Sequence, residues 1–181
     1  GAAVKIVFIT VLFANLIIRS FYPALSGFFM TSPQKLQKLW NYLIGAMISL
    51  ALPVVVGGTV LASKIIDFFY GPSFIPSILA LQLLLVVVGI HFINYPFSTM
   101  LVVSDQQKKN FALIILGATC NIVLAALLIP VYGLYGVILS AIVSSFAMLV
   151  ATIFVTNFSI KGIHLLNLIV LRDFAIAVFS S

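Results

Sequence analysis

The chain has 181 residues, of which 64% are hydrophobic and only 7% are charged. A soluble domain carries about a quarter charged residues, so this composition excludes a chain with a fully hydrated surface. Its net charge of +6 comes from basic residues near predicted helix ends, which indicates membrane orientation and not nucleic acid as a partner. The single Cys120 excludes an intramolecular disulfide.

Six apolar segments cross, or begin to cross, a bilayer, which takes ~20 residues of helix. In chain order the predicted spans are 4–29, 40–63, 77–103, 111–129, 134–157 and 166–181. The predicted fold is all-α: one polytopic membrane helix bundle, 1–181, with five complete transmembrane helices and the start of a sixth. The first residue is not methionine and the last span is cut off, so we expect a fragment of a larger protein.

Basic residues are unevenly distributed between the two predicted sides of the membrane. By the positive-inside rule the richer side is cytoplasmic, and the turn near Pro130 faces outward. The richer side holds Lys35, Lys38, Lys108, Lys109, Lys161 and Arg172, and the other holds Lys5 and Lys64.

The first predicted helix carries a polar stripe formed by Asn15, Arg19, Tyr22 and Ser26. Their spacing places them on one face. An arginine is costly in lipid, so Arg19 is expected to face protein or a water-filled cavity, where its guanidinium is able to bind phosphate or carboxylate. The alternative is that its long side chain reaches the cytoplasmic interface.

Two prolines interrupt the next helices near membrane depth. Pro53, followed by Gly57 and Gly58, lies in the second span, and Pro96 lies in the third. Each proline removes a backbone hydrogen bond, so both are candidate sites of helix bending. The alternative is a purely packing role, because transmembrane helices tolerate proline.

The third span also carries His91, Asn94 and Ser98 on one face. His91 is a candidate to relay a proton or to accept a hydrogen bond from a substrate. Intramembrane His and Asn also commonly bond neighbouring helices, which is the alternative interpretation.

The fourth and fifth spans form an apolar hairpin between Asn121 and Ser145, with a turn predicted over Pro130–Gly136. Small residues recur at helical spacing on its two helices and on the second span, which favours close helix packing or a sliding seam. These residues are Gly45, Ser49, Pro53 and Gly57, then Gly117, Asn121 and Ala125, and then Gly136, Ser140 and Ser144.

Catalytic and cofactor motifs are missing from the sequence. The three acids, Asp67, Asp105 and Asp173, all lie at or near predicted helix ends. No glycine-rich nucleotide loop, carboxylate pair or metal-ligand cluster is recognisable. We therefore expect no enzyme activity, no metal and no cofactor.

Four local patterns, in this order, resemble a transporter family. The first is Tyr22-Pro23-Ala24-Leu25-Ser26 before a cytoplasmic loop, and the second is the outer loop that runs from Ile65 to Phe74. The others are the basic loop Asp105–Lys109 and the Asn121–Ser145 hairpin. Together they resemble the C-terminal half of an oligosaccharide/polysaccharide flippase (polysaccharide transporter family) of the multidrug/oligosaccharidyl-lipid/polysaccharide exporter superfamily.

That resemblance implies a V-shaped transporter of two helix bundles, of which the N-terminal bundle is missing here. It implies a lipid-linked oligosaccharide on polyprenyl pyrophosphate, moved across the inner (cytoplasmic) membrane for surface polysaccharide such as O-antigen lipopolysaccharide. The expected substrate contacts are Arg19, Asn15, Tyr22, His91 and Asn94. The alternatives are a cation-coupled multidrug exporter of the same superfamily, or a non-transporting scaffold for polysaccharide assembly enzymes.

Overall fold

The computed structural model describes residues 2–71, 74–75 and 77–160. These residues form helices and no β-strand, which confirms the predicted all-α bundle. The elements are α1 (Ala2–Thr31), α2 (Pro33–Leu52), a π-helical segment (Pro53–Gly57), α3 (Gly58–Tyr70), α4 (Ser77–Val103), α5 (Gln107–Tyr132) and α6 (Leu134–Ser159). The predicted span 166–181 lies outside the described residues.

Five helical segments in the described part of the chain are long and apolar enough to cross a membrane. Four of them coincide with α4, α5, α6 and most of α1, and the fifth is the continuous helix Pro33–Tyr70. Its 38 residues extend roughly 57 Å at 1.5 Å per residue, well beyond the ~30 Å of hydrocarbon. The chain therefore has the architecture of a multi-pass membrane protein.

Helix α2 begins before the apolar span 40–63 because its start is set by local polar chemistry. The Ser32 hydroxyl oxygen accepts a hydrogen bond from the Lys35 amide at 3.4 Å, and Pro33 occupies the first turn, where its missing N–H costs nothing. The first two turns carry Lys35 and Lys38, so they suit the membrane surface.

The π-helical segment begins at Pro53, one of the two predicted bending points. Proline has no N–H to donate to the preceding turn, and a widened π turn accommodates that loss. The Thr59 hydroxyl donates to the Val55 carbonyl and so covers one backbone acceptor of the segment. Val55 lies against Gly89 of α4, where a Cβ atom would come within 2.9 Å of Val55 Cγ2. α4 itself continues through Pro96, which is buried.

Helix α4 occupies the centre of the bundle and packs against α1, α2, α3 and α6. On the buried side of α4, three residues pack in the same core as the fully buried Trp40 of α2: Val88, Phe92 and Phe97. The rings of Trp40 and Phe97 meet edge-on, with their centroids 5.1 Å apart. Between membrane helices such packing stabilises the bundle through van der Waals contact and not through the hydrophobic effect, because lipid tails are as apolar as the core.

Helices α5 and α6 form a tighter hairpin than the predicted turn over Pro130–Gly136. Pro130 lies inside α5, and the two helices are separated by Gly133 alone. Gly133 has φ +56, a conformation that glycine adopts without a steric penalty. The exposed side chains of Val131 and Leu134 around this turn are apolar, so backbone geometry and not polarity ends the helix.

Helices α4 and α5 are joined by a short turn that reverses the chain. The Gln106 amide donates to the Leu101 carbonyl at 2.8 Å, and the Asp105 amide donates to the Val102 carbonyl at 3.2 Å. Asp105 has φ +59, so the turn is a Schellman motif with aspartate at the position that glycine usually takes. At the same end of the bundle the Lys109 ammonium donates to Ser159 Oγ at 3.0 Å.

Candidate functional site: a polar cleft between three helices

A cleft of ≈410 Å³ lies between α4, α5 and α6, near the middle of each helix. Its volume falls within the ~300–1,000 Å³ typical of small-molecule sites. The α4 wall supplies most of the polar side chains, and the other two helices add small and polar ones. The lining residues are Val87, His91, Asn94, Tyr95, Ser98, Ile114, Gly117, Ala118, Asn121, Ala141, Ser144, Ser145 and Met148. We refer to this site as the polar cleft.

The polar cleft follows from helical periodicity in three segments. On α4 the intervals between His91, Asn94, Tyr95 and Ser98 place all four side chains on one face. On α5 and α6 the facing positions are largely small, for example Gly117, and leave space where larger side chains would fill it. The sequence stripe of His91, Asn94 and Ser98 is thus brought together in the structure.

Asn94 is a buried residue of the polar cleft with an unpaired hydrogen-bond acceptor. Its side chain is only 4% exposed, and its Oδ1 atom has no hydrogen-bond partner. A buried acceptor left unsatisfied costs about 1–3 kcal/mol. Most buried polar groups in proteins do have a partner, so an orphan acceptor in a cleft needs a physical account.

His91 and Tyr95 form a stacked aromatic pair on the α4 wall, with ring centroids 5.9 Å apart and an interplanar angle of 26°. The Tyr95 hydroxyl lies close to the side chain of Asn15 on α1, whose Nδ2 donates to the Val11 carbonyl at 3.1 Å. Two predicted site residues, His91 and Asn15, are therefore linked through a residue that the sequence analysis did not select. The signal for Tyr95 is its place four residues after His91 on the same helical face.

Two hydrogen bonds between helices hold the walls of the polar cleft. Asn121 Nδ2 donates to Ser144 Oγ at 2.9 Å between α5 and α6. Ser98 Oγ donates to Asn110 Oδ1 at 2.7 Å between α4 and α5. Asn121 and Ser144 belong to the predicted small-residue packing stripes, and in the structure they also form a polar bridge.

Three of the five predicted contacts, all on α1, do not line the polar cleft. Asn15 is partly buried next to Tyr95, and Arg19 and Tyr22 are exposed. The structure thus separates the predicted contacts into two places: the guanidinium on an open helix surface, and the neutral polar groups between helices. Their roles in substrate binding stay predictions.

Among the described residues, no group of three or more His, Cys, Asp or Glu side chains is arranged to hold a metal ion. The lining of the polar cleft contains one histidine and no carboxylate.

Comparison of the chain with protein-family models, with curated proteins and with solved structures gives no match. Fold and site therefore define the class by physical criteria alone. The chain is an all-α bundle with the helices of a multi-pass membrane protein, and it carries an uncharged polar cleft at mid-helix depth.

Proposed function

We propose that this chain is the C-terminal part of a flippase that moves a polyprenyl-pyrophosphate-linked oligosaccharide across the cytoplasmic membrane for surface polysaccharide biosynthesis. The observation that carries the proposal is the polar cleft at mid-helix depth in a chain with only 7% charged residues. Polar groups within a transmembrane bundle are costly and commonly mark a substrate pathway. The resemblance of the local sequence patterns supplies the substrate class.

Arg19 is the proposed contact for the pyrophosphate. It is exposed on α1, and α1 also carries Asn15, whose side chain lies close to Tyr95 at the polar cleft. A guanidinium offers two parallel hydrogen bonds to phosphate oxygens, which an ammonium does not match. In the proposed transporter this face of α1 borders the central cavity, and rocking of the two bundles exposes that cavity to each membrane face in turn.

Two other functions have less support. An exporter coupled to sodium or protons commonly carries a membrane-embedded carboxylate, and no carboxylate lines the polar cleft. A scaffold for assembly enzymes needs a cytoplasmic surface on which partners dock. The connections between α1 and α2 and between α4 and α5 are only short turns.

The test is complementation of a strain that lacks the protein. The proposal expects such cells to accumulate unflipped lipid-linked oligosaccharide, and expects the wild-type gene to restore its passage to the outer leaflet. Arg19→Ala is expected to reduce flipping roughly 10- to 100-fold, the equivalent of about 1.5–3 kcal/mol for hydrogen bonds to a charged group.

Lys38→Ala is the matched control, because Lys38 is an exposed basic residue at the start of α2. It should flip at the wild-type rate. Absence of accumulation in the deletion strain would refute the flippase proposal. Full activity of Arg19→Ala would remove Arg19 from the mechanism and leave the rest of the proposal standing.

A further inference from the structure

We propose that the polar cleft binds the uncharged sugar part of the transported molecule, with a sugar hydroxyl donating a hydrogen bond to Asn94 Oδ1. The source of the sugar rests on the proposed function. The class of ligand, an uncharged group rich in hydroxyls, rests on the chemistry of the cleft itself. Sugar and pyrophosphate are then recognised at separate places, the first between α4, α5 and α6 and the second at Arg19.

Asn94 carries an unsatisfied hydrogen-bond acceptor. The residue lines the cleft, and its buried Oδ1 atom receives no hydrogen bond from the protein, so a ligand donor reaches this atom once the side-chain amide turns toward the cleft. Only a donor restores what this atom loses on leaving water. A hydroxyl is such a donor, whereas a phosphate oxygen and an acyl chain are not.

The lining contains no permanently charged side chain, and His91 is its one ionisable group of the histidine or carboxylate type. No Arg, Lys, Asp or Glu is among the residues that form the cleft. A phosphate group is normally held by Arg, Lys or several backbone amides, and a hard cation by carboxylates. The cleft offers neither set, so the charged portion of a substrate has no counter-ion in it.

The polar side chains of the cleft suit sugar hydroxyls, which both donate and accept hydrogen bonds. Asn121 and Ser144 already bond each other, but amide and hydroxyl groups have capacity for more than one hydrogen bond. The stacked rings of His91 and Tyr95 add flat apolar area beside these polar groups. A site of ≈410 Å³ that combines polar groups with aromatic surface suits a small polar molecule.

The experiment measures protection of a cysteine placed in the cleft. Ser145 lines the cleft and is partly exposed, so Ser145→Cys gives one reporter thiol for a water-soluble maleimide once Cys120 and any cysteine in the rest of the full-length protein are replaced by alanine. The full-length protein is held in nanodiscs. One probe is the free glycan released by mild acid from the lipid-linked oligosaccharide that deletion cells accumulate. The other probes are the sugar-free polyprenyl pyrophosphate and sodium chloride.

The expected result is protection by the free glycan and none by polyprenyl pyrophosphate or sodium chloride. Adding Asn94→Leu should raise the glycan concentration needed for protection about tenfold, as loss of one well-placed hydrogen bond implies. Asn41→Leu is the matched control, since Asn41 on α2 is bonded to Gln37 outside the cleft. It should leave protection unchanged. Ala118→Phe, which fills the cleft from α5, should abolish protection.

Several outcomes would overturn the inference. Protection by polyprenyl pyrophosphate or by sodium ions would assign the cleft to a charged ligand. Equal protection in the wild-type and Asn94→Leu backgrounds would remove the proposed hydrogen bond. A reporter that never reacts, or that no probe protects, would mean that the cleft is closed or holds water alone. Flipping by wild-type cells would still be measured separately, so these failures differ from a failure of the proposed function.

Discussion

The close approach of α5 and α6 at Gly136 gives the sharpest test of the packing. A Cβ atom built on Gly136 would lie 2.5 Å from the Leu128 carbonyl oxygen and 2.6 Å from its carbonyl carbon. Both are backbone atoms of α5, so no side-chain rotation relieves the clash. Gly136→Ala must therefore move one helix away from the other or distort the hairpin turn at Gly133.

The expected net cost is about 1–3 kcal/mol. Overpacking a well-packed core costs typically about 1–3 kcal/mol and occasionally more, and contact with rigid backbone belongs at the upper end. Alanine also favours the helix over glycine by about 1 kcal/mol, which offsets part of that cost. The free energy of unfolding should be measured by SDS titration in mixed micelles, with helix content followed by circular dichroism.

Two other glycines complete a graded series. A Cβ on Gly45 meets no heavy atom within 4 Å, so Gly45→Ala should be neutral or stabilise by up to about 1 kcal/mol. A Cβ on Gly117 would lie 2.9 Å from the Met148 sulfur, which belongs to a flexible side chain, so Gly117→Ala should fall in between. If Gly136→Ala proved as stable as Gly45→Ala, the close approach of Gly136 to the Leu128 backbone would be refuted.

Two further predictions concern single turns and bridges. Asp105→Gly should stabilise the protein by about 0.5–1 kcal/mol in the same SDS titration, because glycine adopts φ +59 without the penalty of a side chain. The control Asp67→Gly, within helix α3, should destabilise the protein by about the same amount. The reverse order of stabilities would contradict the turn geometry at Asp105. A double-mutant cycle of Asn121→Leu and Ser144→Ala should give a coupling energy of about 0.6 kcal/mol, with an upper bound near 1.7 kcal/mol, whereas additive effects would show that the 2.9 Å hydrogen bond does not persist in micelles.

Helix existence was predictable from the sequence, and helix ends were less so. The apolar run that gave the span 77–103 matches α4 at both ends because a proline directly precedes it in the sequence and the polar run Ser104–Lys109 follows it. The span 40–63 covers only the middle of Pro33–Tyr70, since hydropathy detects the part inside lipid and not the polar first turns that Ser32 caps. The turn predicted over Pro130–Gly136 was too long at both ends: α5 continues through Pro130 because proline is tolerated in membrane helices, and α6 already begins at Leu134.

The candidate site was only half visible in the sequence. The stripe of His91, Asn94 and Ser98 is local, so helical periodicity is enough to find it. Its partners Asn121 and Ser144 lie on other helices, and a single sequence contains no signal for which helix face meets which. The exposed position of Arg19 was equally unpredictable, because a polar stripe has the same spacing whether it faces a neighbour or an open surface.

The unsatisfied Asn94 oxygen connects the stability of the bundle to its function. If the polar cleft served packing alone, a leucine at position 94 would fill similar space, remove the orphan acceptor and stabilise the protein. Asn94→Leu should therefore raise the free energy of unfolding under either role, and glycan protection separates the two: weaker protection indicates a binding residue, and unchanged protection indicates a residue that serves packing alone. The polar side chains on this wall of α4 destabilise an apolar bundle, and their role in binding a hydroxyl-rich ligand explains why they are present.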